Sequence, residues 1–182
     1  MKLPEVTFKI REGDLAEDGC CTFEEGKWIE KTTSDIFNDK KVIIFSLPGA
    51  FTPTCTSKQL PGFEENYSAF KELGIDEIYC ISVNDSFVMN AWACNEGIKN
   101  VKVLPDGSGL FTKGMNMLVK KDNKGFGERS WRYAAIINNG SVEKMFEEPG
   151  KVDDCATDPY GESSPENVLK YLQSSKVDSN NI

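Results

Sequence analysis

One stretch of the sequence, Lys41–Leu47 (KVIIFSL), restricts the possible folds more than any other. It is almost continuously apolar and β-branched at its centre, which is typical of a strand covered on both faces. Strands of that kind belong to parallel sheets, in which crossover helices cover both sides. Pro48-Gly49 ends the run. The stretch therefore predicts an α/β fold.

The hydrophobic pattern of the remaining chain predicts the order β-α-β-α-β, then a hairpin and a final helix. The elements indicated are strands at 78–83 and 101–104, helices near 86–92 and 109–117, a hairpin turning at Asn139-Gly140 and a helix capped by Ser164-Pro165. This order predicts a thioredoxin-like α/β fold, with a central mixed β-sheet flanked by helices on both faces. Another three-layer α/β arrangement fits the same spacing.

Residues 1–182 are expected to form a single domain, because a chain of this length supports one hydrophobic core. The first 40 residues show little pattern. Residues 13–26, which include Cys20 and Cys21, are interpreted as a loop insertion.

Charge and residue content exclude several kinds of chemistry. The net charge of −8 opposes binding to nucleic acids or anionic membranes, and no apolar stretch approaches the ~20 residues of a membrane span. The first residues lack the apolar region of a signal peptide, so we expect a cytoplasmic protein. The absence of histidine excludes Ser-His and Cys-His catalysis and mixed zinc sites. None of the six cysteines forms a C-x-x-C motif, so free thiols and no metal are expected.

Cys55 is the residue whose position most suggests reactivity. Thr52 suits a helix N-cap and Pro53 suits the first helical position, which puts Cys55 in the first turn of a helix that follows a buried strand. Unpaired N–H groups and the positive end of the helix dipole favour a thiolate there. The helix is expected to run to Gly74 and to kink or split at Pro61-Gly62. A buried, inert cysteine is the alternative interpretation.

The letters around Cys55 resemble the active-site motif of peroxiredoxins. The motif is Pro48-x-x-x-Thr52-x-x-Cys55, and the resemblance continues through SVNDSFVMNAW (82–92), PDGSG (105–109) and RSWRY (129–133). Together these segments resemble the type II, or peroxiredoxin-five, subgroup, including its bacterial glutathione- or glutaredoxin-dependent members. The resemblance covers roughly residues 4 to 173 and leaves 174–182 as a polar tail.

The resemblance implies a thiol peroxidase that needs no metal or organic cofactor. Cys55 matches the peroxidatic cysteine, whose thiolate attacks hydrogen peroxide or an alkyl hydroperoxide, releases water or alcohol and becomes a sulfenic acid. Thr52 matches the hydroxyl that bonds thiolate and peroxide, and Pro48 matches the residue that shields the pocket from water. Arg132 matches the arginine that polarises the peroxide and favours the thiolate.

The pattern around Arg132 is consistent with such a role. Alternation along residues 131–137 puts it on one strand face with Ala134 and Ile136, and a guanidinium on an apolar face needs an anionic or strong acceptor. A thiolate would serve, and an ion pair with one of the 29 acidic residues is the other open interpretation. Arg129 falls on the opposite face, which favours a supporting or interface role.

Activation of the sulfur alone explains little of a peroxidase rate. A thiol of ordinary pKa, about 8.5, is about 3% thiolate at pH 7. Lowering a pKa to about 6 raises that fraction roughly 30-fold, but a Brønsted slope near 0.45 removes about 13-fold as lost nucleophilicity. Most of the acceleration must therefore come from stabilising the departing oxygen and aligning S–O–O.

A sulfenic acid needs a second thiol for its reduction. Cys155 lies near the position of the C-terminal resolving cysteine of animal relatives, and Cys80 matches a cysteine of plant and animal relatives, so both are resolving candidates. Cys94 and the Cys20-Cys21 pair have no motif support. Glutathione, glutaredoxin or thioredoxin is the external alternative, and the subgroup resemblance favours the first two.

Two other functions remain open at this point. The chain can be a peroxide-sensing, redox-regulated binding protein that uses the same sulfenic acid, or a structural thioredoxin-fold module. The subgroup resemblance also implies a homodimer packed near the active-site loop. Its candidate contacts are Phe51, Phe87 and Trp92, although core positions suit these aromatic residues equally well.

Overall fold

The computed structural model describes residues 1–14, 22–23 and 25–179, so the Cys20-Cys21 pair lies outside the described residues. The strands are β1 (Thr7–Glu12), β2 (Lys27–Thr32), β3 (Lys41–Ser46), β4 (Glu77–Ser82), β5 (Lys102–Pro105), β6 (Leu118–Lys120), β7 (Glu128–Ser130), β8 (Tyr133–Asn138) and β9 (Ser141–Glu147). The helices are α1 (Thr33–Phe37), α2 (Leu60–Glu65), α3 (Tyr67–Glu72), α4 (Ser86–Asn95), α5 (Leu110–Gly114) and α6 (Pro165–Ser179). A π-helical turn spans Cys55–Gln59, and a 3₁₀ turn spans Asp122–Lys124.

A five-stranded mixed sheet, in the order β5-β4-β3-β8-β9, forms the centre of the fold. Strand β3 lies in the middle, parallel to β4 and antiparallel to β8, and its residues 42–46 are fully buried. Two apolar clusters cover the two faces. Helices α2, α3, α4 and α6 contribute to the cluster that contains Cys55, and α1 and α5 contribute to the other. The predicted mixed sheet with helices on both faces is confirmed.

An N-terminal hairpin occupies the region for which the sequence showed little pattern. Strands β1 and β2 pair antiparallel from Thr7–Thr32 to Glu12–Lys27. Arg11 anchors the hairpin: its guanidinium forms a buried ion pair with Asp14 at 2.8 Å and lies over the Phe87 ring of α4. The hairpin adds a small second sheet and leaves the central one unchanged.

The helical stretch after Cys55 breaks at a different point from the one expected. In the π-helical turn the Leu60 N–H donates to the Cys55 carbonyl, and α2 then runs through Pro61 and ends before Asn66. Proline is tolerated near the start of a helix, where its missing N–H has no partner to lose. The wider turn ahead of it also relieves the clash of the ring with the preceding turn.

Local capping follows the sequence at α6 but not at α4 or at Thr52, whose hydroxyl donates to the Gly49 carbonyl and does not cap the helical turn. The Ser164 hydroxyl accepts from the Asn167 N–H at the start of α6, as predicted. Helix α4 is capped by Asp85, which accepts from the Val88 N–H, rather than by Ser86. Ser86 is instead the first helical residue, and its hydroxyl accepts from the Arg11 N–H. Within the described ranges, no helix is both long and apolar enough to cross a bilayer.

Candidate active site

Cys55 begins the π-helical turn, at the end of the loop that leaves the carboxyl end of β3. Its side chain is fully buried and belongs to the apolar cluster on that face of the sheet. The position is the one expected from the sequence, at the start of a helical segment where backbone N–H groups lack helical partners. Bulk solvent and large reactants do not reach the sulfur in this conformation.

Arg132 directly precedes β8, the strand that pairs with β3, and its side chain is only 1% exposed. It lies on the same sheet face as Ala134 and Ile136, as alternation predicts. One terminal nitrogen, Nη1, donates to the Cys55 Sγ at 3.4 Å. The other, Nη2, donates to both carboxylate oxygens of Asp158, at 2.7 and 2.8 Å. Arg132 thus contacts both of the partners that the sequence left open, the Cys55 sulfur and an acidic residue.

Gln59 holds the guanidinium from the inner side. Its Oε1 accepts from Arg132 Nη1 at 2.6 Å, and its Nε2 donates to the Ser163 hydroxyl at 3.3 Å. The Ser163 N–H in turn donates to the carboxylate of Glu148 at 3.2 Å. All four side chains are buried, so a continuous hydrogen-bonded path ties Arg132 to the segment that precedes α6.

The surroundings of Arg132 favour its charged form despite its burial. Burial opposes the charge, but Cys55 and Asp158 outweigh that effect and raise the pKa of the guanidinium above its ordinary value. Burial likewise raises the pKa of Asp158, while its hydrogen bonds with Arg132 and their charge interaction lower it below the usual value overall. The Nε–H of Arg132 has no acceptor among the described residues. The site therefore has a fixed cation with one donor to spare.

The loop between β3 and Cys55 carries the two other candidate residues. Pro48 is buried, and its carbonyl accepts from Arg129 Nη1 at 3.2 Å. Thr52 is half-buried, and its hydroxyl donates to the Gly49 carbonyl at 2.7 Å, which leaves its oxygen lone pairs available. A Cβ at position 49 would lie 2.4 Å from Arg129 Nη1, so any other residue there would displace the guanidinium. Arg129 thus supports the loop, in line with the expectation.

The two resolving candidates occupy different environments. Cys80 is fully buried in β4 within the same cluster as Cys55, and burial raises the pKa of its thiol well above the usual value. Cys155 is half-exposed and packs against the cluster on the opposite sheet face. A hydrogen bond with Thr157 lowers the pKa of the Cys155 thiol.

Gln59 and Asp158 are the residues of the site that sequence reasoning missed. Gln59 follows Cys55 by four positions, a spacing that puts two side chains on one helical face and that offered a usable signal. Asp158 comes from an irregular segment, which carries no periodic signal. Within the described ranges, no group of three or more cysteine or acidic side chains is arranged to hold a metal ion.

The chain is similar to known proteins along most of its length. A family model described as Redoxin matches residues 2–160. A peroxiredoxin of Rhizobium etli is 60% identical over 172 residues, which cover 94% of each chain. The structure of the Plasmodium falciparum antioxidant protein, titled a 1-Cys peroxiredoxin, superimposes with a TM-score of 0.88 at 40% identity and covers 96% of this chain and 98% of that one. Reduced Prx3 of Vibrio vulnificus in complex with H₂O₂ gives a TM-score of 0.81 at 32% identity, over 97% and 96% of the two chains.

Proposed function

This chain belongs to the peroxiredoxins of the Redoxin family, and from that membership we propose that it reduces hydrogen peroxide and alkyl hydroperoxides through a sulfenic acid at Cys55. The membership confirms the resemblance of its motifs and the thioredoxin-like fold. One observation supports the proposed chemistry above all others: the Cys55 sulfur lies 3.4 Å from a buried, charged guanidinium.

The reaction follows from that contact. The Cys55 thiolate attacks one peroxide oxygen, so that an S–O bond forms as the O–O bond breaks. The leaving oxygen takes a proton and departs as water or alcohol. Negative charge moves from sulfur to the leaving oxygen during this step, and a fixed cation beside both atoms stabilises it without reorganisation. Arg132, whose Nη1 donates to the sulfur, supplies that cation.

Two further groups complete the proposed site. The unpaired Nε–H of Arg132 is a donor for a peroxide oxygen. The Thr52 hydroxyl, oriented by the Gly49 carbonyl, is a second polar contact for the substrate. Pro48 keeps water from the thiolate, and its position is held by Arg129. Full burial of Cys55 favours small peroxides, and the Vibrio vulnificus relative was solved with H₂O₂ itself.

We propose that an external thiol, glutathione, reduces the sulfenic acid. Cys80 is buried inside β4 with a raised thiol pKa, and Cys155 packs against the cluster on the other sheet face, so neither thiol is paired with Cys55 in this structure. A tripeptide needs a smaller opening around the buried sulfur than a protein dithiol does. Cys55–SOH and glutathione give a mixed disulfide and water, and glutathione with glutaredoxin then restores the thiol. This cycle requires a reducing compartment, for which we propose the cytoplasm.

Steady-state peroxide consumption tests this assignment. We expect turnover with glutathione plus glutaredoxin to exceed that with thioredoxin and its reductase by about tenfold or more. Cys80→Ser and Cys155→Ser variants should keep the glutathione-dependent rate within about twofold, because neither thiol takes part in the cycle. Mass spectrometry of protein treated with peroxide and then glutathione should show the adduct on Cys55.

Two results would contradict parts of this assignment. Turnover that is fast with thioredoxin and lost in Cys155→Ser would identify Cys155 as a resolving cysteine. One equivalent of peroxide consumed without recycling by any thiol would favour the peroxide-sensing alternative.

We also propose a homodimer that packs through the face around the active-site loop. Phe51 is 52% exposed and has a positive φ of 63°, a strained backbone for a bulky residue. Leu110, 59% exposed at the start of α5, lines a cavity of about 620 Å³ together with Asn84, whose side-chain oxygen accepts from the Ala50 N–H of the active-site loop. Phe87 is half-buried against the N-terminal hairpin. Trp92 is wrong as a contact, because it is fully buried and its indole N–H donates to Thr56.

Light scattering after gel filtration tests the dimer. The protein should elute at twice its 20.3-kDa mass. Leu110→Glu should shift it toward the monomer, because a charge in an apolar interface costs several kcal/mol. Val177→Glu, at an equally exposed position on α6, is the matched control and should remain dimeric. A monomeric wild-type protein, or a Leu110→Glu variant that stays dimeric, would contradict the proposed face.

A further inference from the structure

The guanidinium of Arg132 has a second anionic partner besides the reacting sulfur. Asp158 accepts from Nη2 through both carboxylate oxygens, whereas Cys55 accepts from Nη1. Its side chain is 32% exposed, whereas that of Arg132 is 1% exposed. The carboxylate therefore closes the outer side of an otherwise buried charge.

The segment that carries Asp158 is itself anchored. The Asp154 N–H donates to the Lys120 carbonyl, and the Lys120 N–H donates to the Asp153 carboxylate, both at 2.8 Å. Thr54, the residue before Cys55, also helps to lower the pKa of Asp158. The carboxylate thus faces both Arg132 and the loop that delivers the sulfur.

A negative charge at this position has a cost for the proposed reaction. It lies close to the cation that stabilises the thiolate and the departing oxygen, and it weakens the positive potential at both. A site built only to stabilise the thiolate would do better without it. The arrangement therefore calls for a different explanation.

The reaction cycle proposed above supplies one. Cys55 is an anion only before it reacts, and as a sulfenic acid or a mixed disulfide it is neutral. A buried guanidinium without a counter-charge is strongly unfavourable and would move toward solvent. Gln59 offers a neutral acceptor but no charge. Asp158 is the partner whose charge persists through every step.

We infer that Asp158 is a positioning residue for Arg132, holding the guanidinium beside Cys55 during the steps in which the sulfur carries no charge. The inference rests on the proposed function. In this role the carboxylate fixes the position of the guanidinium and does not contact the peroxide.

Asp158→Asn tests the role, with Asp153→Asn as the matched control from the same anchored segment. We expect the second-order rate constant for reduction of the Cys55 sulfenic acid by glutathione to fall about tenfold in Asp158→Asn, the effect of losing one charge-assisted hydrogen bond, whereas the first oxidation by hydrogen peroxide should not slow. Asp153→Asn should stay within about twofold. Asp158→Glu, which keeps the charge, should recover most of the rate. Equal losses in the two asparagine variants, or no loss in Asp158→Asn, would overturn the role.

A second readout does not depend on peroxidase activity. The ratio of alkylation rates at Cys55 by anionic iodoacetate and neutral iodoacetamide, measured on the peptide that contains it, reports the local electrostatic potential. Removing a nearby negative charge should raise this ratio at least about twofold in Asp158→Asn and leave it unchanged in Asp153→Asn. An unchanged or lower ratio in Asp158→Asn would overturn the inference. If the wild-type protein fails to consume peroxide, the proposed function fails, and this ratio still decides whether Asp158 acts on the site.

Discussion

Replacing Cys55 with serine is expected to reduce peroxide turnover by more than about a thousandfold, to the background of the buffer. A hydroxyl does not ionise near neutral pH and is a poor nucleophile toward a peroxide oxygen, so the S–O bond-forming step has no substitute. Serine is nearly isosteric with cysteine, and its oxygen can accept from Arg132 Nη1, which keeps the buried site filled. Coupled NADPH oxidation and direct assay of residual peroxide both measure the loss.

The control for this variant is Cys155→Ser, which alters a thiol on the other sheet face. Circular dichroism should show unchanged secondary structure in both variants. In Cys55→Ser, burying the hydroxyl in the apolar cluster is expected to lower the unfolding free energy by about 1–3 kcal/mol. Retained peroxide turnover in a folded Cys55→Ser protein would refute the proposed mechanism.

Replacing Arg132 with lysine is expected to lower the second-order rate constant for peroxide by about 100- to 1,000-fold. An ammonium keeps the positive charge, but it lacks the planar fork that reaches Cys55, Gln59 and Asp158 at once. The variant therefore separates charge from geometry. Stopped-flow measurement of the first oxidation event isolates this step from the recycling that follows.

Arg11→Lys is the matched control, because Arg11 is also buried and ion-paired but lies in the hairpin, against Asp14 and α4. That variant should lose stability and keep its rate constant with peroxide. Arg132→Lys should keep more of its stability and lose far more of its rate constant with peroxide. A rate constant for Arg132→Lys within threefold of wild type would show that charge alone suffices, which would contradict the geometric role.

The parts of the fold that follow a simple hydrophobic pattern could be predicted, and those that invert it could not. Strand β3 is apolar on both faces, and this continuous apolar pattern predicted its burial and its pairing in a parallel sheet, which it forms with β4. The N-terminal hairpin follows the rule at Phe8, which is buried, but departs from it at Arg11, 8% exposed, and at Trp28, 55% exposed. The ion pair of Arg11 with Asp14 helps to hold the hairpin, and residue hydrophobicity gives no sign of that pairing.

The residues of the site also divide into those that a local pattern predicts and those that it does not. Cys55 and Arg132 follow from local rules, one at the end of a buried strand and the other on the apolar face of a neighbouring strand. The approach of Asp158 depends on how an irregular segment folds back on β6, and no local rule describes that path. The motif resemblance named the residues expected to react, while the carboxylate that orients one of them became visible only in three dimensions.

Cys55 belongs to one apolar cluster, and Cys155 packs against the cluster on the other face of the central sheet. In the proposed cycle, a sulfenic acid at Cys55 persists until glutathione reaches it. During that lifetime a second peroxide molecule competes for the same sulfur, and its success yields a sulfinic acid that glutathione does not reduce. The peroxide-to-glutathione ratio, rather than the rate of the first reaction, then determines how many catalytic cycles one molecule completes before it is permanently inactivated.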